Sequence, residues 1–147
     1  MKIVFDECFS RDGAAAIGQI FRLHDPPISC AFLVDEIDQQ GVHDEHWAPR
    51  FRDQGVVVIS RDRGRSRRSR NKGMPLPQVL PRERVTGVFL SGGLGEATRV
   101  EMVRAVVAVI PDLLSECPRA EPGTRFRVRR HRGQSHLIVW PTGKGRA

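Results

Sequence analysis

Three aspartates stand where carboxylate chemistry could be done. Asp6 directly follows the apolar run Lys2–Phe5, and Asp62 lies two residues beyond the run Val56–Ser60. Asp44 and Glu45 open the segment that leads into the second of these runs. In an open parallel sheet the loops at the carboxyl ends of the strands carry the site, and neighbouring strands lie about 4.8 Å apart. If the two runs are neighbours, Asp6 and Asp62 can meet, and Asp44 and Glu45 can lean over the same edge. Crowded carboxylates repel one another, and a bound cation removes that cost. Oxygen-only donors favour Mg²⁺ or Mn²⁺ over zinc. Such an ion ionises a water and stabilises the leaving oxygen in phosphodiester cleavage, so no nucleophilic side chain is required. Each residue alone also has a plainer reading: Asp6 and Asp44 as helix caps, and Asp62 as a surface ion pair worth about 0–1 kcal/mol.

Charge placement supports the same chemistry. The 147 residues carry 24 Lys and Arg against 17 Asp and Glu, a net charge of +7. Residues 1–60 hold 5 basic and 10 acidic side chains, whereas residues 61–72 hold 7 basic and 1 acidic. Residues 119–147 hold 8 basic and 1 acidic. An acidic first part suits a hard cation, and basic segments suit polyanions. Arg61, Arg63, Arg65, Arg67, Arg68, Arg70 and Lys72 form a comb that would hold RNA phosphates; the alternative is a solvated loop. Arg125, Arg127, Arg129, Arg130 and Arg132 could extend that groove or bind an acidic protein partner, and strand geometry puts the first three on one face. With no Tyr in the chain, and with Phe and Trp at core positions, base-specific readout is not expected.

Other signals are weaker. Ser91-Gly92-Gly93-Leu94-Gly95 lacks the Lys-Ser/Thr of a phosphate loop and reads as a tight turn. His43, His46, His131 and His136 lack cysteine companions at zinc spacing. Cys8, beside carboxylates that raise a thiol's pKa, reads as a small packed residue. Three widely spaced cysteines imply no disulfide framework, and no apolar run reaches the length of a membrane span, so a soluble cytoplasmic protein is expected.

The elements that must position these residues alternate. Lys2–Phe5 is a strand, and Ser10 caps a helix with Ala14, Ile17 and Phe21 on one face, stopped by Asp25-Pro26-Pro27. Ile28–Val34 reads as a strand, Asp35–Asp38 as a loop, and 44–54 as a short helix that Pro49 limits. Val56–Ser60 and Thr86–Leu90 are strands, with an irregular stretch around Pro75, Pro77 and Pro81 between them. A helix over 96–116 carries Val100, Val103, Val107, Ile110 and Leu114 at steps of three and four, with Pro111 kinking or dividing it. Phe126–Arg130 and His136–Trp140 form a hairpin around Gly133. This order predicts an α/β three-layer, Rossmann-like domain with a mainly parallel central sheet, a main unit over 1–118 and a basic hairpin and tail over 119–147 packed on it.

The Met1–Glu7 stretch, the Asp44-Glu45-His46-Trp47 helix start and Ile59-Ser60-Arg61-Asp62-Arg63 resemble the motifs of PIN-like domains, a superfamily of metal-dependent ribonucleases. Among these the stretches look most like those of VapC-like toxins of bacterial toxin–antitoxin pairs. The resemblance runs over about residues 1–110 in element order. It implies metal ligation by Asp6, Asp44 and Asp62, with Glu7 and Glu45 as further candidates, and a cognate antitoxin as partner. Cys8 stands in place of the usual Asn, and Gly64 in place of a frequent further acid. The expectation is therefore a Mg²⁺- or Mn²⁺-dependent endoribonuclease, with a catalytically degenerate binding module on the same fold as the alternative. A homodimer, with the long helix as candidate contact, is also compatible with this reading.

Overall fold

The computed structural model describes residues 1–38, 41–61 and 74–141. In chain order they form β1 (Lys2–Phe5), α1 (Arg11–Phe21), β2 (Ser29–Phe32), α2 (Leu33–Ile37), α3 (Asp44–Trp47), β3 (Val56–Ser60), α4 (Leu76–Arg82), β4 (Thr86–Leu90), α5 (Arg99–Glu116), β5 (Arg125–His131) and β6 (Gln134–Val139). One sheet has the order β2-β1-β3-β4-β5-β6; all neighbours are parallel except β5 and β6. β3 and β4 are buried at every position, as strands covered on both faces must be. The α/β three-layer expectation holds.

Two apolar clusters fill the two sides of the sheet. Ile3, Phe5, Val57, Ile59, Val88, Leu90, Phe126 and Val128 face α1 and α5. Val4, Val56, Val58 and Phe89 face α2, α3 and α4, with Leu33, Trp47, Leu76 and Leu80 packed on them. The alternation is the period of two of a strand, so parity assigns each strand residue to a layer.

Several boundaries differ from the sequence reading, each for a visible reason. The second strand ends at Phe32, and Leu33–Ile37 turns helical because Leu33 and Ile37, four apart, are both buried in the second cluster. Asp35 and Glu36 therefore lie on a helix rather than in a loop, paired with Arg11 and Lys2. Asp38, at φ 56°, closes that helix. The short helix expected over 44–54 is an α-turn, α3, that tightens into a 3₁₀ turn at Ala48–Phe51, where Pro49 supplies no N–H. Trp47 and Phe51 do share a face, with ring centroids 5.8 Å apart. The proline-rich stretch is not irregular: it forms α4, whose Pro77 occupies the first turn, where a missing N–H costs nothing.

The long helix α5 begins at Arg99, later than expected, because Thr98 and Glu101 close a reciprocal capping box there. Its buried face is Met102, Ala105, Val106, Val109, Ile110 and Leu113, whereas Val100 is 67% exposed. Of the expected stripe only Val100 is misplaced: Ile110 is buried, and Val103, Val107 and Leu114 pack half-buried against the same cluster at its margin. Pro111 leaves the helix undivided to Glu116. The β5–β6 hairpin turns through Arg132 and Gly133, both at positive φ, the requirement of a two-residue type I′ turn.

One connection is unusual. The sheet order runs leftward from β1 to β2 over the α1 face, and rightward from β2 to β3 and from β3 to β4 over the opposite face. Those three crossovers share one hand. The step from β4 to β5 also runs rightward, yet α5 returns over the α1 face, so this crossover has the opposite hand. Crossovers of a single hand are the near-universal rule. The consequence is that α5 leaves the α4-side face of β5 and β6 open, and α4 reaches it at Arg125, which donates to the Pro77 carbonyl.

Candidate functional site

Sheet order reverses between β1 and β3, because β1 connects outward to β2 on one side while β3 starts the run to β6 on the other. The carboxyl ends of these two strands are where an open α/β sheet presents ligands. Phe5 pairs with Ile59, and the Asp6 N–H continues the ladder to the Ile59 carbonyl at 3.0 Å. Asp6 is thereby set beside Ser60, on the α4 side of the sheet by strand parity.

Asp6 is buried, with 5% of the residue exposed. Its Oδ1 accepts the Glu7 N–H at 2.8 Å. Its Oδ2 accepts the Ser60 hydroxyl and the Cys8 thiol, both at 2.9 Å. Ser60 is fully buried and also lies 3.2 Å from the Cys8 sulfur. Burial first, and the Asp6 carboxylate second, push the Cys8 thiol far above its ordinary value. Cys8 is thus a neutral donor to Asp6 rather than a nucleophile. A carboxylate fixed from both oxygens is oriented, not a loosely solvated cap.

The other candidate acids are disposed differently. Glu7 is exposed, and its Oε2 accepts the Gly41 N–H at 3.2 Å, which ties the loop before α3 to the end of β1. Asp44 occupies the first position of α3 after His43, and its Oδ1 accepts the indole N–H of Trp47 at 3.1 Å. Glu45 accepts the Met74 N–H at 2.9 Å and so holds the chain just before α4. Both Glu7 and Glu45 therefore fasten backbone segments that flank the edge. Arg61, directly after β3, is exposed. Asp62, Arg63, Arg65, Arg67, Arg68, Arg70 and Lys72 lie outside the described residues. Among the described residues no group of three or more His, Cys, Asp and Glu side chains is arranged to hold a metal ion.

In kind, the donors fit a hard divalent cation: Asp6 and Asp44 offer carboxylate oxygens, and the chain reaches Asp62 two residues beyond the Ser60 that bonds Asp6. Ser60 and Cys8 are the residues to which sequence reasoning assigns no role at Asp6. The available signal for Ser60 is its place as the one polar residue closing the otherwise apolar run Val56–Ile59. The Ser91–Gly95 stretch is a turn, continuing as a 3₁₀ segment over Gly92–Glu96. No helix among the described residues is long and apolar enough to cross a membrane.

A family model described as a PIN like domain matches residues 1–74, just over half of the chain, including both strand ends that build the edge. No curated protein and no solved structure matches the chain.

Proposed function

The chain belongs to the PIN-like domain family, a superfamily whose members are generally nucleases, and we propose that it is a metal-dependent endoribonuclease. The observation that carries this reading is the buried, doubly fixed Asp6 carboxylate at the β1/β3 reversal, one hydrogen bond from the residue two positions before Asp62. Asp6, Asp44 and Asp62 would hold Mg²⁺ or Mn²⁺. When bound, such an ion ionises a coordinated water and offsets charge on the leaving oxygen of a phosphodiester. The chain's own residues supply the rest. Ser60 and Cys8 keep the Asp6 Oδ2 aimed by donating to it, and the Glu7 N–H fixes Oδ1. Trp47 restrains Asp44 through its indole N–H. Arg61 and the basic residues 63–72 would neutralise substrate phosphates, an interaction that gives affinity without base readout.

A toxin role held in check by a cognate antitoxin is the finer part of the proposal; finding a short reading frame for a small protein beside this one would support it, and its absence would count against it. The test of the activity is cleavage of a labelled single-stranded RNA with Mn²⁺, with chelator, and by the Asp6→Asn protein. Manganese-dependent cleavage that Asp6→Asn abolishes is expected. Binding of the RNA with no cleavage under any divalent ion would favour the degenerate module instead.

A further inference from the structure

The face of β5 and β6 that α5 leaves open carries cations in a row. Phe126 and Val128 point into the α1/α5 cluster, so Arg125, Arg127 and Arg129 lie on the other side, the side of Asp6 and Ser60. Sheet register strengthens the relation. Ser60 pairs with Phe89, and Phe89 pairs with Arg127, so Asp6, Ser60, Phe89 and Arg127 form one cross-strand row on one face. Three strand spacings of about 4.8 Å put Arg127 about 14 Å from Asp6 along that row. Arg129 continues toward the same carboxyl edge of the sheet.

The row is built, not incidental. Trp140 stands edge-on against the buried Phe89 at 5.5 Å and lies beneath two guanidinium groups, Arg125 at 4.3 Å and Arg127 at 3.9 Å from the ring centre. Arg125 is further locked by donating to the Pro77 and Pro141 carbonyls. Among the described residues, none of Arg125, Arg127 and Arg129 forms an ion pair with a carboxylate. Arg130, of opposite parity, faces Glu101 of α5 instead. Like charges held side by side oppose each other, and a polyanion relieves that cost. Side chains two apart on a strand repeat at about 6.7 Å, a pitch of the order of phosphate spacing in an extended single strand.

We propose that Arg127, propped by Trp140, and Arg129, one repeat nearer the carboxyl edge of the sheet, form a track that holds the backbone of single-stranded RNA toward the edge where Asp6 ends β1, passing over the edge rather than over the buried Phe89 and Ser60. The ribonuclease reading supplies the identity of the occupant, and the track takes its position from the sheet register alone. The experiment measures binding of a labelled single-stranded RNA to the full chain across a salt series, in chelator so that nothing is cleaved, with cleavage in Mn²⁺ followed in parallel. Arg127→Gln/Arg129→Gln is expected to bind more weakly, with the slope of log K against log salt shallower by about 1.4, two phosphates at ~0.7 each. Arg129→Gln alone, at an exposed position away from Trp140, should lose about 0.7 of slope, and Arg129→Lys should keep it. Unchanged affinity and slope in both glutamine variants overturns the track. So does poly-glutamate bound as tightly as the RNA and lost in the same variants, which would make the face a dock for an acidic protein. Arginine-dependent binding without manganese-dependent cleavage would leave the track standing and remove the hydrolase reading.

Discussion

Replacing Asp6 by Asn should separate folding from cation binding. The side chain is buried, and its donors among the described residues include the Glu7 N–H on Oδ1 and the Ser60 hydroxyl and Cys8 thiol on Oδ2. In the amide, the carbonyl oxygen can keep the Glu7 bond, while the NH₂ faces two groups able to reverse roles. The hydroxyl of Ser60 rotates to accept, and the sulfur of Cys8 is a weak acceptor. What is lost is charge assistance: hydrogen bonds to an ionised group contribute about 1.5–3 kcal/mol against about 1 for neutral pairs. Removing a desolvated charge offsets part of that loss. The net cost is about 1 kcal/mol, or about 2–4 °C in Tm for a chain of this size. A cation at one hundred times its Kd adds about 2.7 kcal/mol of stability. By the same conversion that is a rise of about 5–11 °C. Calorimetric melting of both proteins, with and without saturating MnCl₂, reads both quantities. The wild type should rise with Mn²⁺, and the variant should melt within a few degrees of the metal-free wild type and stay there. An equal rise in both proteins would refute the placement of the cation at Asp6. A loss far above 1 kcal/mol would refute the role reversal at Ser60 and Cys8.

Other consequences follow from the same geometry. Hydrogen bonding from Arg52, with Arg82 adding, holds the Glu83 carboxyl below the usual carboxylate range. Its stabilisation is therefore full above the ordinary carboxyl pKa and is lost as pH falls through the lowered value. Denaturation of Glu83→Gln against pH should show a stability gap at neutrality that closes on acidification; a gap that widens in acid contradicts this. A Cβ on Gly87 would sit 2.6 Å from the Phe89 ring and 2.9 Å from Leu80, so Gly87→Ala should destabilise by about 1–3 kcal/mol in denaturant titrations. A loss below a few tenths would mean that both side chains move aside freely. Burial, with Glu116 adding, pushes the Cys117 thiol up to about 12, and burial against the opposing effect of Arg22 pushes Cys30 up to about 11, with Cys8 higher still. Native protein at pH 8 should alkylate slowly at all three and rapidly only when unfolded; stoichiometric native labelling of Cys8 would show an accessible thiolate beside Asp6.

How much of this was legible in the sequence depends on whether a feature is local. β1, β3 and β4 are readable because strands covered on both faces are apolar along nearly their whole length, and the hairpin because Gly133 sits between two alternating runs. α2 is not, since Leu33-Val34 prolong an apolar run and only tertiary partners, Lys2 and Arg11, fasten the acids that follow. The buried stripe of α5 is ambiguous because two stripes of the same period overlap. At the site, Asp6 shows itself by ending a strand, but Ser60 reaches it across 54 residues through a parallel register that no local pattern states.

The side taken by the arginines was half legible, and its resolution ties fold to function. Parity groups Arg125, Arg127 and Arg129 but does not say which face they share with Asp6. That is decided by the face over which α5 returns. A crossover of the same hand as the other three would lay α5 over the arginines and leave Phe126 and Val128 to solvent. Covering three guanidinium groups that have no carboxylate partner among the described residues costs several kcal/mol each by desolvation, and exposing two apolar side chains adds about 1.5–3 kcal/mol apiece. The usual preference for one hand is a packing preference, and here it opposes a larger electrostatic and hydrophobic sum. The alternation of cations and apolar residues along β5 thus selects the exceptional crossover. That same crossover leaves Arg129 exposed and Arg125 and Arg127 half-buried on the side of the sheet to which Asp6 belongs.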